Sequence, residues 1–203
     1  AWTIQSSASD ISWNSVTYGN GVFVAVANDG ILASVMTSTN GTSWSIQNAS
    51  VANAWQGVTF GRGVFVAIAS SGTSNRAMSS TDGAAWTTKT TPVAANSYNW
   101  SSITFNHSYN NTGRFVAIAN GGVGTTQRVM YGTLNTATTD TVWTIQNFNT
   151  TNSWNAITNN TSWSAATNIE VVQSMTVHEC PGVTTMCMYV GLGNTANTDS
   201  KVY

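Results

Sequence analysis

Short apolar runs separated by tight turns recur along this chain at a nearly fixed spacing. The clearest unit is Trp13-Asn-Ser-Val-Thr-Tyr-Gly-Asn-Gly-Val-Phe-Val-Ala-Val-Ala27, which returns as Trp55-Gln-Gly-Val-Thr-Phe-Gly-Arg-Gly-Val-Phe-Val-Ala-Ile-Ala69. A third copy opens at Trp100-Ser-Ser-Ile-Thr-Phe105 and resumes at Gly113-Arg-Phe-Val-Ala-Ile-Ala119. Alternation before the first turn predicts a strand with one buried face. The apolar run after it predicts a central strand buried on both faces.

The turns complete the unit. Gly19-Asn-Gly21 supplies an Asn-Gly pair that readily takes φ > 0 in a hairpin, Asn28-Asp-Gly30 leads into Ile31 to Ser38, and Asn40-Gly41 leads into Ser43 to Gln47. Repeat two turns at Arg62-Gly63, Ser71-Gly72 and Asp82-Gly83. Four strands per unit at a period of 42 residues (position 13 to position 55) predict an all-β propeller-type domain with four antiparallel strands per blade. The repeats run roughly over 6–47, 48–89, 90–146 and 147–203, forming one domain over 1–203.

Tryptophan marks the register. Trp2, Trp44, Trp86 and Trp143 open fourth strands, and Trp13, Trp55, Trp100 and Trp154 open first strands. Flat side chains recurring in this way fill the gap between neighbouring blades. Repeat three carries insertions at Asn106–Thr112 and Leu134–Thr141. In repeat four, either Trp154–Thr158 or Gln173–Val177 is the first strand, and Met188–Gly193 is the second. The chain opens on a fourth strand, Ala1–Gln5, and stops inside a third, Ser200–Tyr203. Either those ends meet and close a ring of four blades, or the repeats belong to a longer chain or array.

Composition narrows function. Only 6% of residues are charged and the net charge is -1, so there is no basic stripe for phosphate and no nucleic-acid partner is expected. No apolar run is long enough to span a bilayer, so no membrane insertion is expected. Ser, Thr and Asn must form the polar surface, which suits an extracellular or virion exterior.

Ser38-Thr-Asn-Gly-Thr-Ser-Trp44 and Ser80-Thr-Asp-Gly-Ala-Ala-Trp86 resemble the Asp-box turn of the neuraminidase-type repeat family. Here the turn is one residue shorter, and Asn40 stands for the Asp in repeat one. The resemblance implies a β-propeller in which the box residues are structural. Similar repeats occur in bacterial surface proteins and phage structural proteins.

A sialidase would need three arginines on one carboxylate, a Tyr–Glu pair and an Asp acid. The four arginines are Arg62, Arg76, Arg114 and Arg128, and the only glutamates are Glu170 and Glu179. They make no recognisable catalytic set. His107 and His178 lack partners at metal spacing, so neither a metal nor a cofactor is expected. Cys180 and Cys187 flank a turn and either form a disulfide or remain buried thiols. Eight Asn-x-Ser/Thr sequons arise from composition alone.

The expected role is non-enzymatic: structural display and adhesion, with neighbouring structural subunits and host-surface glycans as partners. Trp163, Tyr98 and Tyr109 are the expected contact residues, because they lie in or near irregular segments. The alternatives are a secreted sialidase-like carbohydrate-active enzyme and a pure self-assembly protein.

Overall fold

The computed structural model describes residues 2–106, 113–122, 129–135, 140–146, 157–159, 172–179 and 186–192. Of these, 134–135, 140, 146 and everything from 157 onward are described as backbone only. The described fold is all-β and contains three four-stranded antiparallel sheets, each laid out in chain order. The first holds β1 (Trp13–Gly19), β2 (Val22–Ala27), β3 (Val35–Ser38) and β4 (Ser45–Gln47). The second holds β5 (Trp55–Gly61), β6 (Val64–Ala69), β7 (Ala77–Ser80) and β8 (Thr87–Lys89). A short 3-10 turn, Val93–Ser97, leads into the third: β9 (Tyr98–Asn106), β10 (Arg114–Gly122), β11 (Val129–Asn135) and β12 (Asp140–Gln146).

The first hairpins form as their turn residues dictate. Asn20 and Gly21 have φ of 46° and 79°, and Arg62 and Gly63 repeat this at 49° and 81°. Two consecutive positive φ values match the right-handed twist of the flanking strands. The third strand of the first sheet is shorter than the apolar pattern suggests. Ile31 and Leu32 stay in a bend, 42% and 52% exposed, and pairing starts at Val35.

One irregularity recurs in all the first hairpins. Trp13 pairs with Ala27 and Ser15 with Val26, leaving Asn14 bulged. Gln56 and Ser101 occupy the same bulge in the next two sheets. In repeat four, β14 (Val172–Glu179) pairs antiparallel with β15 (Met186–Leu192) and bulges at Gln173. Gln173–Val177 thus lies in a strand that pairs and bulges as the first strands of the three sheets do. The rival segment also contributes a strand, β13 (Ile157–Asn159), but it runs parallel to β14. That parallel pair departs from the expected four antiparallel strands.

The core lies between consecutive sheets. Every residue of β6 is buried, and its faces alternate. Phe65, Ala67 and Ala69 join Val24, Val26 and Trp55 in the core between the first two sheets. Val64, Val66 and Ile68 join Trp100, Phe105 and Phe115 in the core between the second and third. Trp55 and Trp100 are both 0% exposed, as their spacing role requires. The N-terminal segment departs from expectation: residues 2–7 are in no strand, and Trp2 and Ile4 are 103% and 101% exposed. Closure of a ring by this segment is not seen, and its expected partner, 200–203, lies outside the described residues.

Candidate functional site

The box turns of the first two sheets are built alike. Ser38 Oγ accepts from the Gly41 amide at 2.8 Å, and Asn40 Oδ1 accepts from the amides of Thr42 and Ser43, each at 2.9 Å. Ser80 and Asp82 repeat these contacts with Gly83, Ala84 and Ala85 at the same distances. The amides of Ala85 and Ala84 and the Ser80 hydroxyl hold the Asp82 carboxyl below its ordinary pKa. An amide or a carboxylate serves equally as the acceptor, so Asp82 is a turn residue.

Each box also anchors its tryptophan. The Trp44 indole N–H donates to Gly41 O at 3.2 Å, and that of Trp86 to Gly83 O at 2.9 Å. First-strand tryptophans find carbonyls too: Trp13 donates to Ser9 O, Trp55 to Val51 O and Trp100 to Ala95 O. Trp143 does not. No Ser-x-Asn/Asp-Gly precedes it, and β11 and β12 stay paired out to Asn135 and Asp140. Gly132 stands opposite Trp143 in that ladder. Trp143 is 6% exposed, and its Nε1 has no hydrogen-bond partner. Thr141, two residues earlier on the same strand face, is 5% exposed, and its Oγ1 is likewise unpaired. Unpaired buried polar groups of this kind cost about 1–3 kcal/mol each, and functional sites are where such departures from the local rules collect.

Both residues line a groove of about 430 Å³ between the outer strands of the second and third sheets. Thr88 to Pro92 form one wall, and Thr141 to Trp143 form the other. The lining includes the exposed Thr90, the Lys89 ammonium and the apolar surface of Pro92, with no carboxylate. The Thr91 hydroxyl is buried and accepts from the Arg76 amide, while Thr88, opposite Met78, and Val142, next to Trp143, stand on the outer faces of their sheets. Repeat one carries Asn48 where this wall has Thr90. Such a volume falls within the range of about 300–1,000 Å³ typical of small-molecule sites.

Of the expected contact residues, Tyr98 is corrected. It is 5% exposed, sits in the core between the second and third sheets, and meets Trp100 edge-on at 6.1 Å. A ring so enclosed cannot stack on a ligand. Trp163 and Tyr109 lie outside the described residues, as does Cys180 of the expected Cys180–Cys187 disulfide.

The described arginines occupy separate elements. Arg76, 8% exposed, donates to the carbonyls of Gly72, Ser70, Tyr98 and Asn96, tying the second sheet to the start of the third. Burial lowers its pKa. Arg114 lies 4.2 Å from the centroid of the Tyr131 ring, and Arg62 holds a hairpin turn. Among the described residues, no cluster of three or more His, Cys, Asp or Glu could hold a metal ion. Nor is any helix among them long and apolar enough to cross a membrane. Compared with protein-family models and with curated proteins, the chain matches none.

Proposed function

We propose that this chain is a non-enzymatic propeller-type module for display and adhesion on an extracellular or virion surface, such as a virion appendage or surface filament. Its work is to meet host glycans through neutral groups, with repeated weak contacts strengthened by multivalency. The observation that carries this reading is a groove free of carboxylates, on a chain with only 6% charged residues. A carbohydrate offers hydroxyls to such walls and needs no ion pair. The three consecutive sheets, with cores between them, support the blade reading. The arginines do not favour a sialidase: four donors of Arg76 are committed to backbone carbonyls, leaving it unsuited to grip a substrate carboxylate.

The direct test is adhesion. Beads coated with the chain should bind a mucin-coated surface, and excess free neutral saccharide should release them. Beads that ignore the surface, or that only excess charged saccharide releases, would sink the proposal.

A specific observation favours a second reading, self-assembly. Val16 and Tyr18 on β1 are 59% and 56% exposed, whereas Val58, Ile103 and Phe105, at the same repeat positions, are 5%, 7% and 3% exposed. The leading face of the first sheet thus lacks the cover that the following sheets receive. Sedimentation against concentration tests it: self-association abolished by Tyr18→Ser would favour assembly, and a monomer throughout would not.

A further inference from the structure

We propose that the groove between β8 and β12 is a binding site for a neutral saccharide of about disaccharide size, with Trp143 and Thr141 as its polar anchors. This rests on the adhesion reading above and gives it a place on the molecule. Three observations converge. The five other tryptophan indoles described here as hydrogen-bonded all donate to backbone carbonyls, whereas Trp143 Nε1 has no partner. Thr141 Oγ1, in the same wall, is also unpaired, and both side chains are more than nine-tenths buried. The opposite wall offers the exposed Thr90 hydroxyl where repeat one has Asn48, and Pro92 extends it with apolar surface.

The chemistry selects the ligand class. An indole N–H only donates, so the ligand must accept; a threonine hydroxyl does both. A sugar hydroxyl accepts from one and donates to another, and the C–H face of a pyranose suits Pro92. A phosphate or sulfate would want converging cations, and Lys89 is the single cation in the lining. The groups that would anchor the sugar lie just beneath the groove surface, so binding entails a small outward adjustment of the β12 wall.

The test is nuclear magnetic resonance on the isotopically labelled whole chain. The probes are maltose, cellobiose, lactose and diacetylchitobiose, each titrated to tens of millimolar. At least one should shift the Trp143 indole N–H and the Thr141 amide saturably while the Trp55 and Trp100 indoles stay put. Trp143→Phe, which keeps the ring and removes the donor, should weaken that probe about tenfold. Should that variant misfold, as disturbed Trp55 and Trp100 signals would reveal, Thr90→Val on the opposite wall replaces it and should also weaken binding severalfold. Lys89→Gln should change affinity less than about twofold.

No saturable shift with any of the four sugars overturns the proposal, as does binding indifferent to both the Trp143 and Thr90 substitutions. Binding lost in Lys89→Gln would make the site an anion site and also overturn it. The two readings fail separately. Beads that adhere while all four titrations are silent would refute the groove and spare adhesion; saturable titrations with beads that never adhere would do the reverse.

Discussion

Gly61 has no side chain because the ring of Phe105 fills that place: a Cβ there would fall 2.2 Å from Phe105 Cγ. Gly19 bears the same relation to Phe60, at 2.1 Å. The ends of the first two first strands are thus the seats for the aromatic of the next sheet's first strand. Phe60 and Phe105 in turn lean on Phe65 and Phe115, each pair with centroids 4.6 Å apart. The contact has a direction, glycine behind and aromatic ahead, and β9, which ends Phe105-Asn106, carries no such glycine.

Gly61→Ala should therefore destabilise the chain by about 1–3 kcal/mol through overpacking. Phe105→Ala should cost about 3–5 kcal/mol through the cavity it leaves. The double variant should cost less than the two singles together, because the new methyl enters the vacated space. Denaturant unfolding of the four proteins measures this. Strict additivity would mean that the two residues do not share a site.

Arg76→Met should cost about 3 kcal/mol or more. It strips a donor from the carbonyls of Gly72, Ser70, Tyr98 and Asn96 together. Arg76→Lys should recover little of this, since a single ammonium cannot reach four acceptors in the plane of a guanidinium. Thermal unfolding that ranks the lysine variant level with the original chain would contradict this role.

Acid stability carries a signature of the second box. The Asp82 carboxyl is held below its ordinary value near 3.8 by the Ala85 and Ala84 amides and the Ser80 hydroxyl. A depressed folded-state pKa contributes stability that is present above the unfolded value and is lost as pH falls through the folded one. Asp82→Asn copies Asn40 of the first box and keeps the acceptor while removing the titration. Between about pH 4 and pH 2, stability should fall less steeply in Asp82→Asn than in the original chain. Parallel slopes would contradict the assignment.

Arg62 sits at φ 49°, where Asn20 of the first hairpin sits at 46°. Asparagine visits this region readily, whereas most side chains incur part of a penalty of about 1–2 kcal/mol. Arg62→Asn should raise the melting temperature by a few degrees. A lower value would show that contacts of the arginine side chain outweigh the backbone term.

The sheets were legible because they depend on local chemistry. Asn20-Gly21 and Arg62-Gly63 dictate hairpins, and Val22–Ala27 reads as a strand buried on both faces. What depends on one sheet meeting the next was harder to read. Tyr98 looked like a contact aromatic because it lies near an irregular segment, yet β9 begins at Tyr98 and packs it against Trp100. The glycine seats are visible in the sequence as an aromatic-Gly pair at Tyr18-Gly19 and Phe60-Gly61, but the partner of each glycine is 41 or 44 positions away. The unpaired indole of Trp143 also left a trace, since the box that anchors Trp44 and Trp86 is missing before it. A missing motif is a weaker signal than a present one, and only the structure shows the groove beside it.

The measurement that bears most directly on the central claim is binding of the clustered chain to a printed array of neutral and acidic glycans at two ionic strengths. Adhesion through hydroxyls and an indole N–H predicts retention on neutral glycans that changes little between about 0.1 M and 1 M salt. Retention confined to sialylated or sulfated glycans and lost at high salt would contradict the account, as would no retention at all.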